Sequence, residues 1–109
     1  MIVASRILRL VTPSVTHDVR VDLFQPEPDG SDWICRYAIG WPGKAQDGFA
    51  GGRDSMQALL SAMQKIGFEL YVSEANTGGQ LSWADWDGFG FPVPANARDL
   101  LEGDDARFL

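Results

Sequence analysis

Apolar and polar residues alternate through the first half of the chain. Along residues 15–24, Val15, His17, Val19, Val21 and Leu23 face one way, and Thr16, Asp18, Arg20 and Asp22 face the other. Successive side chains point to opposite faces of a strand, so this segment reads as a half-buried antiparallel strand with one wet face. Residues 32–41 repeat the pattern, with Trp33, Cys35, Tyr37, Ile39 and Trp41 on one side and Ile34, Arg36, Ala38 and Gly40 on the other. Residues 2–11 are less regular: Ile2, Leu8 and Leu10 share one face, and Val3, Ile7 and Val11 the other. Apolar residues on both faces predict a central strand, partly covered on each side. Residues 45–50 make a short fourth strand that Gly48 weakens. Thr12-Pro13-Ser14, the loop from Gln25 to Ser31, and Pro42-Gly43 separate these runs. Such short connections predict an antiparallel meander.

The period then changes. Met56, Leu59, Leu60, Met63, Ile66 and Leu70 step by three or four, which predicts one long amphipathic helix over residues 54–72. Asp54 can accept from the Gln57 amide while the Gln57 side chain reaches back, as in a capping box. Gly67 marks either a close approach or an early end of the helix, and Asn76-Thr77-Gly78-Gly79 is a stop. Residues 80–109 form a tail without strand or helix period, rich in Trp83, Trp86, Phe89 and Phe91. It is expected to wrap over the helix or a sheet edge. A last helical turn is expected at 97–102, with Leu100 and Leu101 inward, and a frayed end from Gly103 on.

The expected architecture is therefore a single α+β domain over 1–109. It has a three- or four-stranded antiparallel sheet (1–50), one main helix on one face and an irregular aromatic tail. With 109 residues and 45% hydrophobic content, the chain can build one core. No apolar run reaches the ~20 residues of a membrane-spanning helix. The start alternates with charges, unlike a signal peptide. The single Cys35 rules out an internal disulfide and, with no secretory feature, points to the cytoplasm.

Charge is uneven. The net charge is −6, and residues 54–109 hold nine acids against Lys65, Arg98 and Arg107, whereas residues 1–53 balance six against six. Phosphate backbones require clustered bases, so no nucleic-acid partner is expected. The acidic half either keeps the protein soluble or meets a basic partner.

Candidate chemistry is sparse. His17 lies on the apolar face of its strand with no second metal ligand at a local spacing. Cys35 sits mid-strand on a packed face, where a thiol is a small core residue, and a nucleophilic pair would require it beside His17. Gly51-Gly52 before the helix lacks the Lys-Ser/Thr of a phosphate loop. Aligning Asp85, Asp87 and Gly88 on a calcium loop puts Trp83 and Pro94 where carboxylates are required. No catalytic, metal-binding or cofactor residue is assigned, and no cofactor is expected. The most specific remaining feature is the tail. Trp83, Asp85, Trp86, Asp87, Phe89 and Phe91 form a candidate interaction surface, because Trp anchors hot spots. The same rings could instead complete a core that one helix cannot fill.

The Trp33-x-Cys35-x-Tyr37-x-Ile39 strand occurs with the Gly52-x-Asp54-Ser55-x-Gln57-Ala58-Leu59-x-x-Ala62 helix start. Together they resemble a bacterial family of small uncharacterised domains, and Leu81-x-Trp83 followed by Gly90-Phe91-Pro92 is similar too. The resemblance covers most of 1–94 and implies a bacterial stand-alone domain. It carries no activity and no catalytic residues. The function expected is a non-catalytic protein-interaction or accessory role. By analogy of size and charge, one form is an immunity-like inhibitor facing a basic partner. The alternatives are a small-molecule-binding domain or minor enzyme with a pocket between tail and helix, and a homodimer or larger oligomer joined through the sheet.

Overall fold

The computed structural model describes all 109 residues. Strands β1 (Ile2–Val11), β2 (Thr16–Phe24), β4 (Asp32–Trp41) and β5 (Lys44–Gly52) form the antiparallel meander. Two short strands extend the sheet to six, where three or four were expected. β3 (Glu27–Asp29) continues β2 past Pro26 and shares its edge of β4. β6 (Leu81–Ser82) adds to the far edge of β1 beside Arg9 and Leu10. Both are too short, at three and two residues, to leave a periodic trace.

Register makes one face apolar. Leu8 lies opposite Val19, Val21 opposite Ile39, Leu23 opposite Tyr37, and Cys35 opposite Ala50. All but the half-buried Ala50 belong to the buried core. The opposite face is wet: Asp22 accepts from Ser5 and pairs with Arg20 there, and Arg36 pairs with Glu27. β1 is not covered on both sides as expected. Ile7 and Val11 remain exposed, because no layer lies over that face and β6 reaches only the last part of the strand.

Helix α1 (Ser55–Tyr71) begins at the Asp54 cap, which accepts from the Gln57 amide at 2.8 Å. Gln57 reaches back to the Arg53 amide, one residue earlier than the expected box. The buried stripe is Ala58, Ala62, Ile66 and Leu70, joined by Gly67 and Tyr71. Met56 and Leu60 are 77% and 51% exposed, which corrects the expected stripe. Small residues take the inner positions because the helix sits close to the sheet. A Cβ on Gly52 would meet the backbone of Gln57 and Ala58.

The helix packs over β4 and β5 and leaves β1 and β2 without a helical cover. The tail fills that half: Phe89, Phe91 and Val93 join Leu8, Leu10 and Val19 in one core. After α2 (Glu74–Thr77) and β6, the chain runs through this strap into a 3₁₀ turn, Ala95–Leu100. It ends in α3, Gly103–Phe108, where fraying was expected. The reason is Asp105, which is fully buried and ties α3 to the strap.

Candidate functional site

β6 ends where the chain turns sharply. The Trp86 amide donates to the Trp83 carbonyl at 3.0 Å, closing a tight turn over Ala84 and Asp85. Ala84 has φ of +48°, a left-handed conformation that costs an L-residue with a Cβ about 1 kcal/mol or more. The two indoles stand 5.9 Å apart at 53°, and Trp86 also packs on Phe108 at 5.7 Å.

This turn is mounted on two charges, the half-buried Arg6 and the fully buried Asp105. Arg6 shares the core-side parity of β1 with Leu8 and Leu10, but its guanidinium turns under the strap. Nη1 donates to the carbonyls of Phe89 (3.0 Å) and Gly90 (2.9 Å), and the group lies 3.8 Å from the Trp83 ring centre and 4.6 Å from that of Phe91. Burial lowers its pKa, and the charge of Asp105 works against that shift. Asp105 carries the complementary set. Oδ1 accepts from Trp86 Nε1 (2.7 Å) and the Gly90 amide (2.8 Å), and Oδ2 accepts from the Tyr71 hydroxyl and the Phe89 amide (2.8 Å). Burial first, and the Asp105 hydrogen bond second, push the Tyr71 hydroxyl well above the ordinary tyrosine range. Gly88 and Gly90 have positive φ, and a side chain on either would run into Asp105 or into Trp83 and Arg6.

The candidate interaction residues therefore divide. Phe89 and Phe91 are 3% and 6% exposed and belong to the core. Trp83 and Trp86 are half-buried, each with a face against the mount, and Asp85 and Asp87 are exposed beside them. Asp87 is fixed by its backbone, whose amide donates to Asp104 and whose carbonyl accepts from the Asp104 amide. An open cleft of about 440 Å³ flanks the turn on the β1 side, between Ile7, Arg9, Asp18 and Ala84. A smaller one of about 200 Å³ lies on the helix side, between Tyr71, Asn76, Trp86 and Glu102.

Cys35 and His17 are not brought together. Leu23 faces Tyr37, so Cys35 lies level with residue 25, eight positions down β2 from His17. At ~3.3 Å per residue that is roughly 26 Å. Cys35 is buried with its Sγ 3.3 Å from the Phe24 carbonyl, and burial raises its pKa, which suppresses the thiolate.

The two residues that organise the site, Arg6 and Asp105, do not stand out in a motif. Arg6 left one signal, a lone charge on the apolar parity of β1. Asp105 left none, because Gly103-Asp104-Asp105 reads as a polar chain end.

Searches against curated proteins and against solved structures found no match. A family model does match, over residues 4–93, so the sheet, α1 and the strap lie inside it and the segment with Asp105 lies beyond it. The chain thus belongs to the family described as domain of unknown function DUF6968.

Proposed function

We propose that the protein is a non-catalytic interaction or accessory protein of the cytoplasm, presenting the Trp83–Trp86 turn and the carboxylates of Asp85 and Asp87 to a basic protein partner. The observation that carries this reading is the strained Ala84 at the tip of a turn whose base is fixed by Arg6 and Asp105. Strain held on a rigid mount beside exposed acids suits a preorganised docking element, which loses little freedom on binding. The charge distribution supports it, since the net negative charge resides in residues 54–109. An immunity-like inhibitor is one form of this role, with the acidic half covering a basic toxin surface.

The small-molecule reading has less support. The cleft between tail and helix is about 200 Å³, below the ~300–1,000 Å³ usual for ligand sites. The test is co-purification at low and high salt of wild type, of the double variant Asp85→Lys/Asp87→Lys, and of Glu74→Lys as a charge-reversal control on α2, away from the turn. A partner retained by wild type and by Glu74→Lys, and lost by the double variant and at high salt, is the expected result. A partner held equally by all three sinks the proposal, as does none at any salt.

A further inference from the structure

β6 pairs with β1 only at Arg9 and Leu10, and the left-handed Ala84 then turns the chain away. The place beside Ile7 that a longer β6 would fill is left open. The cleft of about 440 Å³ lies in that wedge. Its size falls within the ~300–1,000 Å³ of ordinary ligand sites, as that of the helix-side cleft does not. Its apolar lining includes Trp83 and Ile7, the latter 48% exposed.

The polar lining is Asp18, Arg9 and Ser82, which stand in one row across three strands. Arg9 lies opposite Asp18 on β2 and opposite Ser82 on β6. The other charges of β1 and β2 are engaged. Arg6 is bound under the strap, and Arg20 and Asp22 pair with each other at 2.7 Å. Neither Arg9 nor Asp18 takes part in an ion pair, even with the other, although directly opposite residues have Cβ atoms only ~4.5–5.5 Å apart. The cleft thus offers a free guanidinium and a free carboxylate side by side, next to an apolar wall.

We propose that this cleft binds a free α-amino acid with an apolar side chain, its carboxylate on Arg9, its ammonium on Asp18 and its side chain against Ile7 and Trp83. A guanidinium takes a carboxylate through two parallel hydrogen bonds, and a carboxylate accepts a charge-assisted bond from an ammonium. A purely anionic ligand would meet the Asp18 charge, and a purely cationic one the Arg9 charge. The pair therefore selects a molecule that carries both signs close together. The end of a peptide carries only one of them. The Ser82 hydroxyl, beside Arg9, can donate to the same carboxylate. Asp85 and Asp87 do not line the cleft, so this site and the docking role of the turn can fail separately.

The test is titration of the full chain with L-phenylalanine and L-leucine, read by calorimetry and by the backbone amide shifts of Ile7, Arg9 and Ser82. Saturable binding that moves these amides is expected. Each charge is expected to be worth about tenfold or more in affinity, so N-acetyl-L-phenylalanine and L-phenylalaninamide should both bind more weakly. Glycine, which lacks the apolar part, should bind more weakly too. Arg9→Gln and Asp18→Asn change exposed positions and should leave the circular dichroism spectrum unaltered. Arg9→Gln should erase the preference for phenylalanine over its amide, and Asp18→Asn the preference over its N-acetyl form. The proposal is overturned if neither amino acid saturates up to its solubility, or if the shifted amides lie elsewhere. Binding that the blocked forms match, or that both variants retain in full, overturns it as well.

Discussion

Arg6 and Asp105 hold the same two residues and do not bond to each other. Arg6 takes the carbonyls of Phe89 and Gly90, and Asp105 takes their amides. A strand from the start of the chain and a short helix from its far end thus share one strap, which would otherwise be loop. Four main-chain polar groups that the core would leave unpaired are each given a charged partner, and hydrogen bonds to charged groups are worth about 1.5–3 kcal/mol.

Asp105→Asn is expected to be strongly destabilising. Asparagine keeps the shape but turns one acceptor oxygen into a donor that faces two donors already in place. The expected loss is about 3 kcal/mol in urea unfolding. Trp86 fluorescence should change as well, because its indole N–H donates to this carboxylate.

Arg6→Met should couple to Asp105→Asn. Each variant alone loosens the same strap, so the double variant should lose less than the sum of the two. A double-mutant cycle is expected to return a coupling of about 1 kcal/mol or more, within the range for groups of one network. Additive losses would mean that the two charges act on separate parts of the fold.

Gly67→Ala sets helix propensity against packing. Alanine favours the helix by about 1 kcal/mol. A Cβ at Gly67, however, would run into the Pro92 carbonyl, which is backbone and cannot rotate away. Overpacking of this kind costs about 1–3 kcal/mol, so the net change should be a loss of stability, read as a lower unfolding midpoint. A gain would show that the strap is free to shift off α1.

Alkaline titration should weaken the fold through its two buried tyrosines, Tyr37 and Tyr71. Burial, with the nearby Glu69 charge adding to it, pushes the Tyr37 hydroxyl from 10.0 up to about 12. The folded form holds that proton more tightly than the unfolded chain does. Its contribution is therefore complete below pH 10 and lost as pH rises toward about 12. Tyr71 is raised in the same direction and extends the loss to higher pH. Stability measured across this window should fall, and Tyr37→Phe should flatten the lower part of the decline. At the acid end the sign reverses. Burial works to raise the Asp22 pKa, but the Ser5 and Arg20 hydrogen bonds outweigh it and leave it lowered. What Asp22 contributes is present above its ordinary pKa and is lost as pH falls through the lowered value.

Much of the sheet was legible because strands announce themselves by alternation. Residues 2–11 and 32–41 coincide with β1 and β4, and the long helix starts at the Asp54 cap read from sequence. The helix face was harder. Met56 and Leu60 are large and apolar, yet Ala58 and Ala62 are buried, because closeness to the sheet selects small residues and composition alone does not reveal closeness. The site was the least legible. Trp83, Asp85, Trp86 and Asp87 lie together at the turn, but what holds them there comes from residues 6 and 105, and nothing local in either segment refers to the other. Phe89 and Phe91 illustrate the ambiguity: bulky rings between glycines fit a binding surface and a core equally well, and only the missing helical cover over β1 decides for the core.

That the Phe89 and Gly90 amides are bound by Asp105 also orders events in time. The acceptor is made sixteen and fifteen residues after its donors, while the Arg6 contacts close loops of eighty-three and eighty-four residues. Closing long loops is entropically costly and slow relative to local pairing. On a ribosome, the meander and α1 can therefore form while the inner face of β1 still lies open to water. The Phe89 and Gly90 amides of the strap gain their acceptor only after Asp105 has been made, so until then the cover over Leu8 and Leu10 lacks the bonds that fasten it.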